Sequence, residues 1–424
     1  MKPHIVVLHR WRDRYAEYPR YFDHDHYAVT YICREIARPS VPDSVAAAVT
    51  VVDLDDFAAV RAAVLGFSER FGHPHRIVGL HEDDLVPAAQ LRQELDIPGN
   101  RPSDVTRFRD KLVMCGVISD ARIPLPAFAD APDTAAVLEF ADSHGWPVIV
   151  KPRWGGGSEG VIQLHSPSDA ALLAESATEP RLVQQFCPDD ILHIDGLWTG
   201  DDLQPWRASR YLTKCGDFDR DNVLSAVEID DPDVLAHIEA FTRMVCAALS
   251  GESPLVFHLE AFLGREPDGT PRIQFLEIGA RPGGAEIPFL WRDVHGYDLM
   301  AAIADIQLGR RPQSDPLPNS AVAGWLIVKP SIPAPCTVMA VSEPSHQVGG
   351  SLYVSVLPAP GSVLPAVSSY EQCGARFRFA GATSAEVEQE IQRIAADFRL
   401  HCEPGEASVL VDATEGELQG QPTG

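Results

Sequence analysis

The chain has 424 residues; 45% are apolar and 22% charged, and 35 basic against 60 acidic side chains give a formal charge of −25 at pH 7. This length predicts about two to four folding units, and the composition excludes a disordered chain, a coiled coil and a collagen-like rod. The acidic balance argues against nucleic acid or an anionic membrane surface as partner, so an anionic ligand must enter a locally basic pocket.

An apolar run at residues 5–8 suits a strand buried on both faces. Residues 29–33, 49–52 and 77–79 read as further strands, with helical spacing between them, as at 57–71. Strands alternating with helices predict an open, mostly parallel sheet, here an N-terminal α/β unit over residues 1–104. Residues 101–122 carry helical spacing around Phe108, Leu112 and Val113, and Pro124 with Pro126 ends that segment. A helix at 134–143 and a strand at 148–150 lead into a glycine run. A strand at 161–164, a helix at 168–175 and a strand at 182–186 complete a small unit, 105–188. Strands dominate a larger unit, 189–312, around a helix at 234–249, and the stretch 214–224 is an aperiodic polar loop. Dense proline near 311–335 predicts a boundary before a strand-rich C-terminal unit, 313–424.

The eight cysteines form no C-x-x-C pair, which points away from a zinc ribbon or a redox motif and towards reduced thiols. The first residues lack the apolar core and cleavage site of a signal peptide, and no long apolar run suits a membrane span. The expected location is the cytoplasm.

Three segments carry chemistry. In the first, Lys151 at a strand end precedes Gly155-Gly156-Gly157-Ser158. Glycines let backbone N–H groups approach a polyphosphate, Ser158 adds a hydroxyl, and Lys151 adds a point charge; a plain hairpin turn is the competing reading. In the second, Glu260 and Glu277 each sit in an apolar strand, joined by a turn at 265–272. Two facing buried carboxylates repel, and a divalent cation between them resolves the conflict. Solvent-facing acids on edge strands are the alternative. In the third, Arg281 ends the second strand and is followed by Pro282-Gly283-Gly284. A guanidinium there can hold a carboxylate, a phosphoryl group or an oxyanion, with the glycines leaving room for a small ligand.

In order along the chain, Asp110-Lys111, Lys151 with its glycine loop, Leu182-Val183-Gln184-Gln185-Phe186, Glu260, Glu277 and Arg281 resemble the ATP-grasp superfamily. Within it, Glu277-Ile278-Gly279-Ala280-Arg281-Pro282-Gly283-Gly284 and Gly324-Trp325-Leu326-Ile327-Val328 look like the L-amino acid ligases, which make dipeptides. The resemblance implies an N-terminal sheet, a small lid domain, a large domain with the metal site and a C-terminal subdomain. It implies ATP with Mg²⁺ or Mn²⁺ and small amino acid substrates, and a homodimer through the N-terminal domain is compatible with it. Lys111, Lys151, Gly156, Gly157 and Ser158 would contact phosphates, Gln184, Gln185, Phe186 and Cys187 the adenine, and Glu260 with Glu277 the metal. Arg281, with Gly283 and Gly284, would bind the substrate carboxylate and act on the phosphorylated intermediate.

The chain departs from the family pattern in three places. The hinge pair, usually acidic, is Gln184-Gln185; a ribose-binding acid falls at Ile191, with Asp190 beside it as a substitute; and Gly279 stands where many relatives carry Asn. On the substrate side, Glu82 follows a strand end, and Asp219 and Asn222, with Lys214 and Asp221, lie on the polar loop. His24 with His26, and His73 with His75, are weak metal candidates, and His193 with Asp195 alternates along a strand. The aromatic stretch from Trp11 to Tyr27 reads as a cover over the first strand, with the wall of a substrate pocket or a dimer face as alternatives. Rival functions are an amide ligase using a carrier-bound or secondary-metabolite amine, a carboxylase-type enzyme, and a silent ATP-binding regulator.

Overall fold

The computed structural model describes residues 2–11, 15–41, 44–176, 179–213, 222–315, 317, 320–344, 350–365 and 374–405. Among them, four parallel strands open the chain: β1 (His4–His9), β2 (Ala28–Cys33), β3 (Ala48–Val51) and β4 (Pro74–Gly79). They pair in the order β3-β2-β1-β4. Every residue of β1 and β2 is buried, as strands covered on both faces require. The helix Phe57–Phe71 packs Val60, Val64 and Phe67 against Val6, Leu8 and Ile32. Asp56 caps it by accepting from the backbone N–H of Ala58 and Ala59.

The segment 101–122 is two helices, Pro102–Arg109 and Lys111–Asp120. The break falls at Asp110, whose extended backbone and carboxylate cap the second helix, accepting from Leu112 and Val113 N–H. That cap puts Lys111 on the first helical position. An antiparallel sheet follows, made of β5 (Phe128–Asp130), β6 (Val148–Pro152), β7 (Ile162–Leu164) and β8 (Arg181–Gln185) in the order β5-β8-β6-β7. It has its own core around Val137, Phe140, Val150 and Val183.

The next strands are β9 (Asp190–Trp198), β10 (Leu203–Tyr211), β11 (Val223–Glu228), β12 (Leu255–Arg265) and β13 (Pro271–Gly279). After them come β14 (Val322–Val328), β15 (Cys336–Val341), β16 (Leu352–Val356), β17 (Val363–Leu364), β18 (Ala375–Gly381) and β19 (Leu400–Pro404). Eight of them form one sheet, β13-β12-β9-β10-β11-β14-β18-β16, and β17-β15-β19 form a small one. β14, buried at all seven positions, pairs with β11, so the large sheet runs unbroken across the proline-rich stretch near 312.

The two faces of the large sheet have different covers. Leu192, Ile194, Phe257, Leu259 and Phe275 pack under the helix Pro232–Ser250 and the helix Lys111–Asp120. Leu197, Val256, Ala226 and Trp325 face the other way, towards the helices Ile287–Asp293 and Leu299–Gln307 and the first sheet. This second face also holds Glu260 and His193, which are cross-strand partners. Among the described residues no helix is long and apolar enough to cross a membrane.

Candidate active site

Glu260 on β12 and Glu277 on β13 are directly opposite each other. Ala261 is opposite Phe275, so Leu276 is an extra residue, a β-bulge. Phe275 and Glu277 are two apart and a regular strand would put them on one face. The bulge sends Phe275 into the helix-covered core and leaves Glu277 beside Glu260. Tyr211 Oη donates to Glu260 Oε1 at 2.9 Å. Burial alone would raise the Glu260 pKa, but His258 and Tyr211 hold it below the usual carboxylate range.

Both lysines are buried. Lys111 Nζ lies 3.5 Å from Glu277 Oε2 and donates to the Gly155 carbonyl at 2.7 Å. Burial lowers the Lys151 pKa against the opposing charge of Glu277, with Lys111 and Glu260 also within electrostatic reach. Burial likewise pushes the Cys115 thiol up to about 11, between the same charges. Residues 155–158 are exposed, with Gly155, Gly157 and Ser158 at φ 118°, 63° and 62°. Glycine takes that left-handed backbone freely, and the loop leaves its N–H groups to a ligand. Arg153 anchors its base by donating to Asp110, the cap residue of the Lys111 helix.

Gln184 and Gln185 end β8, and Gln184 Nε2 is buried with no hydrogen-bond partner among the described residues, an orphan donor. Phe186 N donates to Pro147 O, and Cys187 Sγ to Gln274 Oε1 at 3.6 Å. Asp189 is taken up by Arg272 at 2.8 Å, whereas Asp190 is exposed at the start of β9.

Arg281 donates through Nε to Glu82, and Arg109 donates to the other Glu82 oxygen. Burial alone would raise Glu82, but the two guanidiniums bring it down to about 2. Burial would lower Arg281, and Glu82 outweighs that. Gly279 has a reason here: a Cβ on it would sit 3.0 Å from Glu82 Oε2. The space that a larger residue would fill is used by the carboxylate that holds Arg281. Arg109, Tyr211 and His258 are parts of the site that sequence reasoning missed; the FHLE context of Glu260 held the signal for His258.

His193 and Asp195 face the same side as Glu260. A polar row crosses five strands: Glu277, Glu260, His193, Ser209 and Glu228 are successive cross-strand partners. Burial alone would lower His258, but Asp195 beside it, with Glu260, raises it to about 9. Asn222, just before β11, has φ 59°, and its carbonyl accepts from Lys329 N–H. Lys214, Asp219 and Asp221 lie outside the described residues. Trp11, Tyr15, Tyr18, Tyr21 and Phe22 are core residues between the first sheet and the helices on the large one, the structural cover.

The donor set fits a magnesium nucleotide. Opposed carboxylates offer hard oxygen ligands, two buried lysines offer charge to phosphates, and the orphan Gln184 amide offers a donor to a base.

No family model matches the chain. In sequence it is 24% identical over 246 residues to the carbamoyl phosphate synthase large chain of Acidobacterium capsulatum, 56% of this chain and 22% of that protein. The Streptomyces griseus large chain is 25% identical over 148 residues, 33% of this chain and 13% of that one. The chain thus spans less than a quarter of the length of these curated relatives. Among solved structures, an L-amino acid ligase from Bacillus licheniformis matches with a TM-score of 0.70 at 15% identity, covering 94% of this chain and 98% of that one. The biotin carboxylase domain of Hydrogenobacter thermophilus 2-oxoglutarate carboxylase, solved with MgADP and bicarbonate, gives 0.69 at 11%, covering 95% and 91%. Aspergillus clavatus carboxyaminoimidazole ribonucleotide synthase, solved with ATP, gives 0.67 at 12%, covering 93% and 98%. The chain therefore has the ATP-grasp fold.

Proposed function

We propose that this protein is an ATP-dependent carboxylate–amine ligase that joins two amino acids through an acyl phosphate, releasing ADP and phosphate. The observation that carries the reading is the mutual proximity of Lys111, Lys151, Glu260, Glu277 and Arg281: Lys111 Nζ is 3.5 Å from Glu277 Oε2, Glu260 is directly opposite Glu277, and Lys151 and Arg281 both lie within electrostatic reach of Glu277. In this reading residues 105–188 are the lid, 189–312 the large domain, and 1–104 and 313–424 the flanking units, the last of which lends β14, β18 and β16 to the large domain's sheet.

A substrate carboxylate oxygen bonds to the γ-phosphorus as the bond to ADP breaks. An amine nitrogen then bonds to the acyl carbon, phosphate leaves, and the amine gives up a proton. Magnesium held by Glu260 and Glu277 would supply charge neutralisation for the triphosphate. Lys111 and Lys151 hold the phosphates, and Gly156, Gly157 and Ser158 close over them. Gln184, Gln185, Phe186 and Cys187 frame the adenine, and Asp190 reaches the ribose. Arg281 steadies the oxyanion formed when the amine attacks. Glu82 keeps the guanidinium aimed, and Gly283 and Gly284 leave space for the substrate. Asp219 and Asn222 belong to the amine side. The lid keeps water from the acyl phosphate.

A second reading has bicarbonate as the acid, the anion bound with MgADP in the Hydrogenobacter thermophilus structure. Phosphate release from ATP and Mg²⁺ separates the two. Release that needs two amino acids supports the dipeptide reading. Release that needs bicarbonate, or a carrier-bound partner, replaces it. Tight ATP binding with no release under any combination leaves a silent nucleotide binder.

A further inference from the structure

Asp195 is almost fully buried on β9, at 2% exposure. Its Oδ2 accepts from His193 Nδ1 at 2.7 Å, and its Oδ1 from His258 Nδ1 at 2.9 Å and Gly283 N–H at 3.2 Å. The three donors come from three places: β9 itself, the strand of Glu260, and the turn that follows Arg281. A Cβ on Gly283 would lie 2.5 Å from Asp195 Oδ1 and 2.8 Å from His258 Nδ1. Only a glycine lets this backbone approach the carboxylate.

We propose that Asp195 is a positioning residue that locks the Arg281 turn to the strand carrying Glu260, fixing the distance between the oxyanion-binding guanidinium and the metal carboxylates. The proposal rests on the ligase reading above. Other contacts build the turn itself: Tyr15 Oη donates to the Ala285 carbonyl, Arg378 pairs with Glu286, and Arg281 with Glu82. They tie it to the first sheet and to β18. Asp195 ties it to β12. In Asp195→Asn the amide loses the charge; with its nitrogen towards Gly283 it sets donor against donor, and with its nitrogen towards His193 it forces that ring to carry its proton on Nε2, a buried atom with no partner among the described residues. The turn would then move relative to Glu260 with its other anchors intact. His193, Asp195 and His258 are also close enough to share a cation. Gly283 N–H, however, already donates to Asp195 Oδ1, and both imidazole contacts have hydrogen-bond lengths.

The test compares wild type with Asp195→Asn, and with Gly283→Ala as a second variant that parts the same contact from the other side. Three quantities are read on the full chain: MgADP affinity, hydrogen exchange of residues 281–286, and ATP turnover. The expected result is MgADP affinity within about threefold of wild type and kcat lower by about 30- to 100-fold with KM for ATP little changed. Exchange should be about tenfold faster in the turn alone. Unchanged turn exchange and unchanged kcat in both variants would overturn the proposal. So would faster exchange throughout the molecule with loss of MgADP binding, which marks a general fold residue. Stoichiometric zinc in the wild type that Asp195→Asn lacks would overturn it too, by making Asp195 a metal ligand. If wild type turns over no acid and amine, the ligase reading fails, and the exchange and MgADP measurements still decide the role of Asp195.

Discussion

Glu82→Gln is the perturbation whose size the structure sets most directly. The carboxylate takes one guanidinium on each oxygen, Arg109 and Arg281, with only 15% of its side chain exposed. Its pKa falls from 4.5 to about 2. At about 1.4 kcal/mol per factor of ten, that distance corresponds to about 3 kcal/mol of stabilisation at neutral pH. The folded pKa is the lower one, so the contribution is present above the unfolded value of 4.5 and fades as pH falls towards about 2. The glutamine isostere keeps the shape and loses the charge, leaving two guanidiniums side by side. Urea unfolding at pH 7 should show a loss of about 3 kcal/mol. Repeated down to pH 3, the same measurement should show the gap between the two proteins narrowing. A variant within about 0.5 kcal/mol of wild type at pH 7, with a parallel acid limb, would refute the reasoning.

Glu277→Gln should raise the magnesium concentration needed for half-maximal ATP turnover by at least about tenfold, read from a magnesium titration; near-normal turnover at ordinary magnesium would remove it from the metal site. Gly279→Asn brings a side chain to within 3.0 Å of Glu82 Oε2. Asn is itself an oxygen donor, but here it should lower turnover by about tenfold without improving magnesium affinity, because it pushes Glu82 off Arg281. Phe275→Ala empties a fully buried site between β13 and the helix Pro232–Ser250 and should cost about 3–5 kcal/mol in urea unfolding.

The motifs were legible because they are local. A lysine before a glycine run, acids embedded in apolar strands and an Arg-Pro-Gly-Gly turn can each be read within a few residues, as can the parallel strands 5–8 and 77–79. The break at Asp110 was within reach too, since aspartate before a helix is a cap signal; the apolar spacing on either side hid it.

By itself, then, the sequence determined which charged groups exist and on what kind of element each rides, since helix and strand periods and turn chemistry act over a few residues. Tertiary structure alone decided which face Glu277 takes, because the bulge at Leu276 arises from pairing with β12. It also brought Glu82 to Arg281 and Asp195 to Gly283, from segments far apart in the chain. The physical reason is the same in each case. Strand register and buried ion pairs are selected by the burial of whole faces at once, and no short window of residues carries that free energy.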